Sequence, residues 1–161
     1  MPATPITASS RYINPGTTKV YWATSIANKS APTRAELNAA IDVTGELADN
    51  KGWMVSSDVV DAPTMDSRFT AKIPGRTDAK DSSLTFYADS TGSDARTLMP
   101  LDTNGFVIWL DGGDVTGRKC DVFPVRVASV GKERSTKGSD PATVPIEFAI
   151  TAVPAQDVVI P

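Results

Sequence analysis

The chain has 161 residues, 40% of them hydrophobic, which suits one domain with a sizeable core and is too apolar for a disordered chain. Lys and Arg number 16 against 19 Asp and Glu, a net charge of −3, so no basic excess exists to wrap nucleic acid or to hold an anionic membrane. Histidine is absent and cysteine occurs once, which excludes Ser-His-Asp and Cys-His machinery, His-based metal sites and an internal disulfide.

Residues 1–17 read as an arm, with Pro2, Pro5, Pro15 and Gly16 and little periodicity. The domain proper is expected over 18–153. Its first strand is Lys19 to Thr24, and a turn follows at Asn28 to Ser30. Thr33-Arg34-Ala35-Glu36 is a capping box, so a short helix starts there and ends near Ala40, before the β-branched Ile41 and Val43. Trp53 to Val60 is the next strand. Residues 61–81, with Pro63, Pro74 and Gly75, show no period and are expected as a long binding loop. Leu84 to Ala88 reads as a strand, and Asp94 caps one helical turn ending at Leu98, before Pro100. Asn104-Gly105 turns into the strand Phe106 to Leu110, the longest apolar run and far too short to span a bilayer. Asp111 to Asp114 is a tight turn.

Two long strands close the pattern. Lys119 to Lys132 places Phe123, Val125 and Val127 on one face. Thr143 to Val153 alternates strictly, with Val144, Ile146, Phe148 and Ile150 opposed to Thr143, Pro145, Glu147 and Ala149. Glu133 to Pro141 suits an exposed hairpin tip, and 154–161 reads as a Pro-bounded tail. The expected fold is mainly β: a β-sandwich or partly open barrel with one short helix.

No constellation of catalytic residues emerges. Asp111 with Asp114 offers too few oxygens for Ca²⁺ and reads as a solvated turn. Ser129-Val130-Gly131-Lys132 matches Ser-x-x-Lys, but its companion motifs are missing. No phosphate loop or dinucleotide fingerprint is present, and no cofactor is implied. Asn28-Lys29-Ser30 is a sequon in form, yet no secretion signal is legible at the start of the chain, so it reads as a turn. Cys120 reads as a buried, inert thiol. Trp22, Trp53 and Trp109 lack interleaved basic residues, so core or interface packing is favoured over base stacking. Charge is segregated: 41–66 holds one base and six acids, whereas 67–81 holds four bases and two acids. Unlike surfaces of this kind suit head-to-tail association of identical subunits.

The runs Thr33-Arg34-Ala35-Glu36-Leu37-Asn38, Gly52-Trp53, Ser67-Arg68-Phe69 and Ile73-Pro74-Gly75-Arg76-Thr77 resemble tail tube (major tail) proteins of long-tailed, siphovirus-type bacteriophages, especially those of actinobacteria. So do Asp81 to Tyr87, Gly112-Gly113-Asp114-Val115 and Asp121 to Val127. The resemblance implies a non-enzymatic virion protein, assembled in the host cytoplasm as stacked hexameric rings, whose inner sheets join into a continuous barrel. Its implied partners are further copies of itself, the tape measure protein, the tail terminator and distal tail proteins, and, transiently, double-stranded DNA in the lumen; no membrane is involved. The 61–81 segment is then the inter-subunit loop, with Phe69 and Ile73 as apolar anchors and Arg68, Lys72 and Arg76 as partners for acids on a neighbour. Strand alternation offers Asp58, Thr85 and Glu147 as lumen-lining candidates. The alternative is a free-standing β-sandwich binding or adhesion module.

Overall fold

The computed structural model describes residues 3–161; Met1 and Pro2, the first residues of the expected arm, lie outside the described residues. The strands are β1 (Lys19–Ala23), β2 (Ile41–Asp42), β3 (Leu47–Lys51), β4 (Val55–Ala62), β5 (Ala71–Ala79), β6 (Ser82–Tyr87), β7 (Asn104–Leu110), β8 (Lys119–Val130), β9 (Thr143–Ile150) and β10 (Ala155–Val159). The helices are α1 (Arg34–Ala39) and the single turn α2 (Ala95–Leu98), with a 3-10 turn at Thr44–Glu46. Eight strands form one antiparallel sheet in the order β2-β1-β7-β8-β9-β6-β3, with β10 added to β8; β4 and β5 form a separate two-stranded sheet. The mainly β, partly open architecture expected from the alternation is therefore present.

The sheet curls because its strands carry apolar residues on both faces. In β1, Val20 and Trp22 point into one core and Tyr21 and Ala23 into another. β8 does the same, sending Phe123, Val125 and Val127 to the first core and Cys120 and Val122 to the second. Such strands read as apolar runs because neither face meets water. The first core is the inside of the curl. Trp22 of β1 lies 6.1 Å, centroid to centroid, from Phe148 of β9, although two strands separate them in the sheet. Gly105 makes room for this indole, since a Cβ there would sit 2.4 Å from the ring. The edges β2 and β3 are joined only by the short Val43–Glu46 connection, so the barrel has a seam.

The second core lies outside the curl, under α1. Leu37 packs there with Ile108, Leu110, Cys120, Val122 and Ile160. The helix starts where the capping box requires: Glu36 N donates to Thr33 Oγ1, and Thr33 N donates to Glu36 Oε2 at 2.7 Å. A second hydrogen bond, from Ala27 N at 2.7 Å, ties the same carboxylate to the preceding loop and is the main reason its pKa is lowered. Burial holds the Cys120 thiol protonated, its pKa pushed up to about 11. Trp22 is fully buried and Trp53 and Trp109 pack against the first core, which resolves all three indoles as core residues.

Four strands were not legible in the sequence. The segment expected as a long loop, 61–81, instead contains β5, which pairs with β4 to make a hairpin. Pro74 and Gly75 disguise it: Pro74 lies opposite Val59 in a two-stranded sheet, where a missing N–H disrupts no interior ladder, and the register shifts beside it. The expected 154–161 tail holds β10, paired with β8, and Ile160 is fully buried. β2 and β3 are short, mostly exposed edge strands. The turn expected at Asn104-Gly105 sits earlier, where Thr103 N donates to Pro100 O, and both residues already belong to β7.

Gly52 and Trp53 form the pivot between barrel and hairpin. Both have positive φ, and a Cβ on Gly52 would come within 2.2 Å of the Asp81 carbonyl oxygen. This turn swings the Trp53 ring into the open end of the curl, edge-on to Phe123 at 5.3 Å and against Trp109 at 5.8 Å. Its backbone N–H donates to Ser82 Oγ and its Nε1 to Ser83 O. Trp53→Ala should destabilise the fold by about 3 kcal/mol and loosen the hairpin root; unchanged denaturation together with unchanged hydrogen exchange across β4 and β5 would contradict that role.

A second fastening joins α2 to the loop after β8. The Asp94 carboxylate is almost inaccessible; it accepts from Arg96 Nε at 3.1 Å and lies 3.5 Å from Lys132 Nζ. The Arg96 side chain, chiefly, holds its pKa below the ordinary 3.8. The ionised form is thus favoured by folding, so this stabilisation is complete above the unfolded-state value and is lost as pH falls through the lower folded value. Asp94→Ala should cost about 1–2 kcal/mol at pH 7, the scale of a lost helix cap. Its stability deficit relative to the parent should shrink below about pH 4; a deficit constant from pH 7 to pH 2 would rule out the ion pair as the cause.

Candidate functional site

Every expected contact residue of the 61–81 segment lies on the hairpin or its tip. Arg68 and Phe69 sit in the tip, and Lys72, Ile73 and Arg76 on β5. None is buried. Phe69 is 79% exposed and Met65 at the turn is wholly so, while Val59 and Val60 of β4 and Ile73 of β5 are exposed as well. Lys72 pairs with Asp61 across the hairpin at 2.6 Å. Among the described residues, Arg68 and Arg76 have no ion-pair partner. A two-stranded hairpin of eight- and nine-residue strands, with its apolar side chains in water, is marginal by itself.

The lumen candidates separate. Thr85 on β6 and Glu147 on β9 share one face of the large sheet: Thr85 lies opposite Pro145, and Ser83 lies opposite Glu147. Asp58 stands on the hairpin, where the β4–β5 register shifts, in the other sheet. Two residues that the sequence reading missed join Thr85 and Glu147 instead. Asp49 pairs with Thr85, and Lys51 with Ser83, so the outer side chains of β3 continue the same surface. Only the strand assignment could have revealed them, because the run Leu-Ala-Asp-Asn-Lys has no apolar alternation.

This surface is bare. The outer face of β1, β7 and the first half of β8 is covered by α1 and the C-terminal segment. Past that cover, the outer face of β3, β6, β9 and the end of β8 carries mostly small and polar residues, Ser83, Thr85, Glu147, Ala149, Lys51 and Asp49, with the exposed ring of Tyr87 at one end of β6. Arg126 at its margin is paired with Asp102 at 3.0 Å. Two carboxylates thus stand against one unpaired lysine, with no basic stripe to grip phosphates. β3, the last strand of this half, pairs among the described residues with β6 alone, so its outer edge presents unpaired backbone groups.

The residues with superficial catalytic resemblance have structural work. Asp114 accepts from Arg34 Nη1 at 2.7 Å and from the Tyr21 hydroxyl at 3.1 Å, fixing α1 to the β7–β8 turn. Burial, chiefly, raises the pKa of Asp111. Lys132 is turned to Asp94 and the Asp89 carbonyl oxygen. Among the described residues no group of three or more Cys, Asp or Glu is disposed to hold a metal ion.

No curated protein matches the chain in sequence. Among solved structures, the fold resembles a chain of the sheath/tube terminator of an extracellular contractile injection system in its extended state (TM-score 0.62, 11% identity, 88% of this chain and 94% of that one). It also resembles a chain of the sheath-tube complex of that system (0.57, 12%, 86% and 88%) and one of the six-fold symmetrised anti-feeding prophage baseplate (0.52, 9%, 93% and 94%). At these identities the likeness is one of fold. The sequence itself matches the family described as phage tail tube protein over residues 5–161, nearly its full length, so this chain belongs to that family of structural, non-enzymatic tail proteins.

Proposed function

We propose that the chain is the repeating subunit of a hollow phage tail tube, closing into hexameric rings that stack around a tape measure protein and later pass double-stranded DNA. The observation that carries this reading is the half-covered sheet. A monomeric binding module has no reason to roof one half of a sheet and leave the other half smooth, polar and bounded by an open edge strand. Placed around an axis, the bare faces of neighbouring copies make a continuous wall, and the open edge of β3 offers backbone groups for joining them. The solved chains of similar fold come from tube, terminator and six-fold baseplate assemblies, which supports a ring of like subunits and end-of-tube partners.

On this reading Glu147 and Asp49 face the channel, with Thr85 between them. Repeated around a ring, their carboxylates repel phosphate and keep the DNA hydrated and mobile. Asp58 belongs to the hairpin and so to the contacts between rings. The hairpin carries subunit contacts through Phe69, Ile73 and the cations Arg68, Lys72 and Arg76.

Purified protein should form tubes of regular bore under the electron microscope, and a strictly monomeric sedimentation profile at high concentration in several salts would count against the proposal, favouring the free-standing module. Glu147→Lys should leave assembly intact and slow DNA ejection several-fold, whereas Asp58→Lys should act on assembly. Equal ejection rates for parent and Glu147→Lys virions would remove Glu147 from the wall.

A further inference from the structure

The uncovered face does not end smoothly. Along β6, Ser83, Thr85 and Tyr87 point outward, while Leu84 and Phe86 are buried in the first core. Tyr87 is 44% exposed and stands where the polar face meets an open groove of about 650 Å³. β2, the 3-10 turn, the end of β6 and α2 enclose this groove. Its floor is apolar, formed by Val43, Phe86, Ala95 and Leu98, all part of the first core or packed against it. The groove is thus a place where the core is open to the outside, directly beside the polar face.

No basic residue lines it, and its carboxylates are Asp42, Glu46, Asp89 and Asp94. Three of these are committed within the chain. Asp42 pairs with Lys19 at 2.9 Å, and Asp94 with Arg96 and Lys132. Asp89 accepts from the backbone N–H groups of Thr91 and Ser93 and from the Thr91 hydroxyl. Glu46 alone has no partner for its carboxylate among the described residues.

The proposed channel holds two occupants in turn, and their surfaces differ. DNA presents a phosphate backbone, which an apolar floor cannot bind and an unpaired carboxylate repels. A protein can present an apolar side chain beside a Lys or Arg, which the floor and Glu46 can both accept. We infer that the groove is a docking site for the protein that fills the channel before DNA does, seating one of its apolar side chains beside Tyr87 and an adjacent basic side chain against Glu46. The inference rests on the tube reading above and adds to it the residues by which the wall holds one occupant and passes the other. Each contact is small, and its charge pair is exposed and screened by salt. Repetition around every ring and along the stack sums many weak contacts into a firm hold.

Photo-cross-linking in intact particles tests the docking. Thr97 lines the groove and is exposed, and Asn38 is exposed on α1, away from the uncovered face. Benzoylphenylalanine at Tyr87 or at Thr97 should, on irradiation of particles before ejection, join this chain to the protein that is lost from emptied particles. The same positions in emptied particles should give no such adduct, and Asn38 should give none in either state. Intact tails without an adduct at Thr97 would overturn the docking while leaving the tube reading in place. An adduct from Thr97 to a second copy of this chain would assign the groove to a subunit contact and equally overturn it. Failure of the parent protein to form any tube would sink both. As a check independent of cross-linking, Glu46→Lys should leave tube diameter unchanged and lower the amount of channel-filling protein retained per tail several-fold. Undiminished retention in that variant would remove Glu46 from the contact and contradict the charge pairing.

Discussion

The structure depends on one constraint: a sheet whose strands are apolar on both faces has to hide both. Curling hides the inner face, since Trp22 and Phe148 meet across it. The outer face cannot be hidden that way, and α1 with the C-terminal segment covers only the half that is apolar. β8 carries this division along its twelve residues, Cys120 and Val122 outward under the cover and Phe123, Val125 and Val127 inward. Everything that the chain presents to other molecules follows from what is left: a polar half-sheet, an open edge and a hairpin without a core.

The pivot at Gly52-Trp53 links the two parts. The same turn that plugs the curl with an indole sends the chain out into β4. Anchoring the root through Ser82 and Ser83 while leaving Phe69 and Met65 in water sets up a stiff base with an unsatisfied tip. On the proposed reading this is a division of labour: the rigid barrel fixes the bore, and the hairpin reaches neighbouring copies and becomes ordered on contact.

The sequence reveals those elements whose burial pattern is periodic. β9 was legible because one face is core and the other is not, and α1 because Thr33 and Glu36 are spaced to cap it. β3 and β10 were not, for edge strands held chiefly by backbone pairing place little demand on side chains. β5 was hidden by Pro74 and Gly75, which argue against a strand unless it belongs to an isolated hairpin. The candidate contact residues all fell on one segment, whereas the make-up of the uncovered outer face required knowledge of register. Alternation put Glu147 and Thr85 on outward faces but could not show that Asp49 adjoins them or that Asp58 belongs to the other sheet.

The central claim is that the uncovered half of the sheet lines a channel. A cryo-electron microscopy reconstruction of tubes assembled from the purified protein tests it most directly. The account predicts Asp49, Thr85 and Glu147 on the lumen wall, with α1 and the C-terminal segment on the tube exterior. A tube with α1 toward the axis and Glu147 on the outer surface would contradict it.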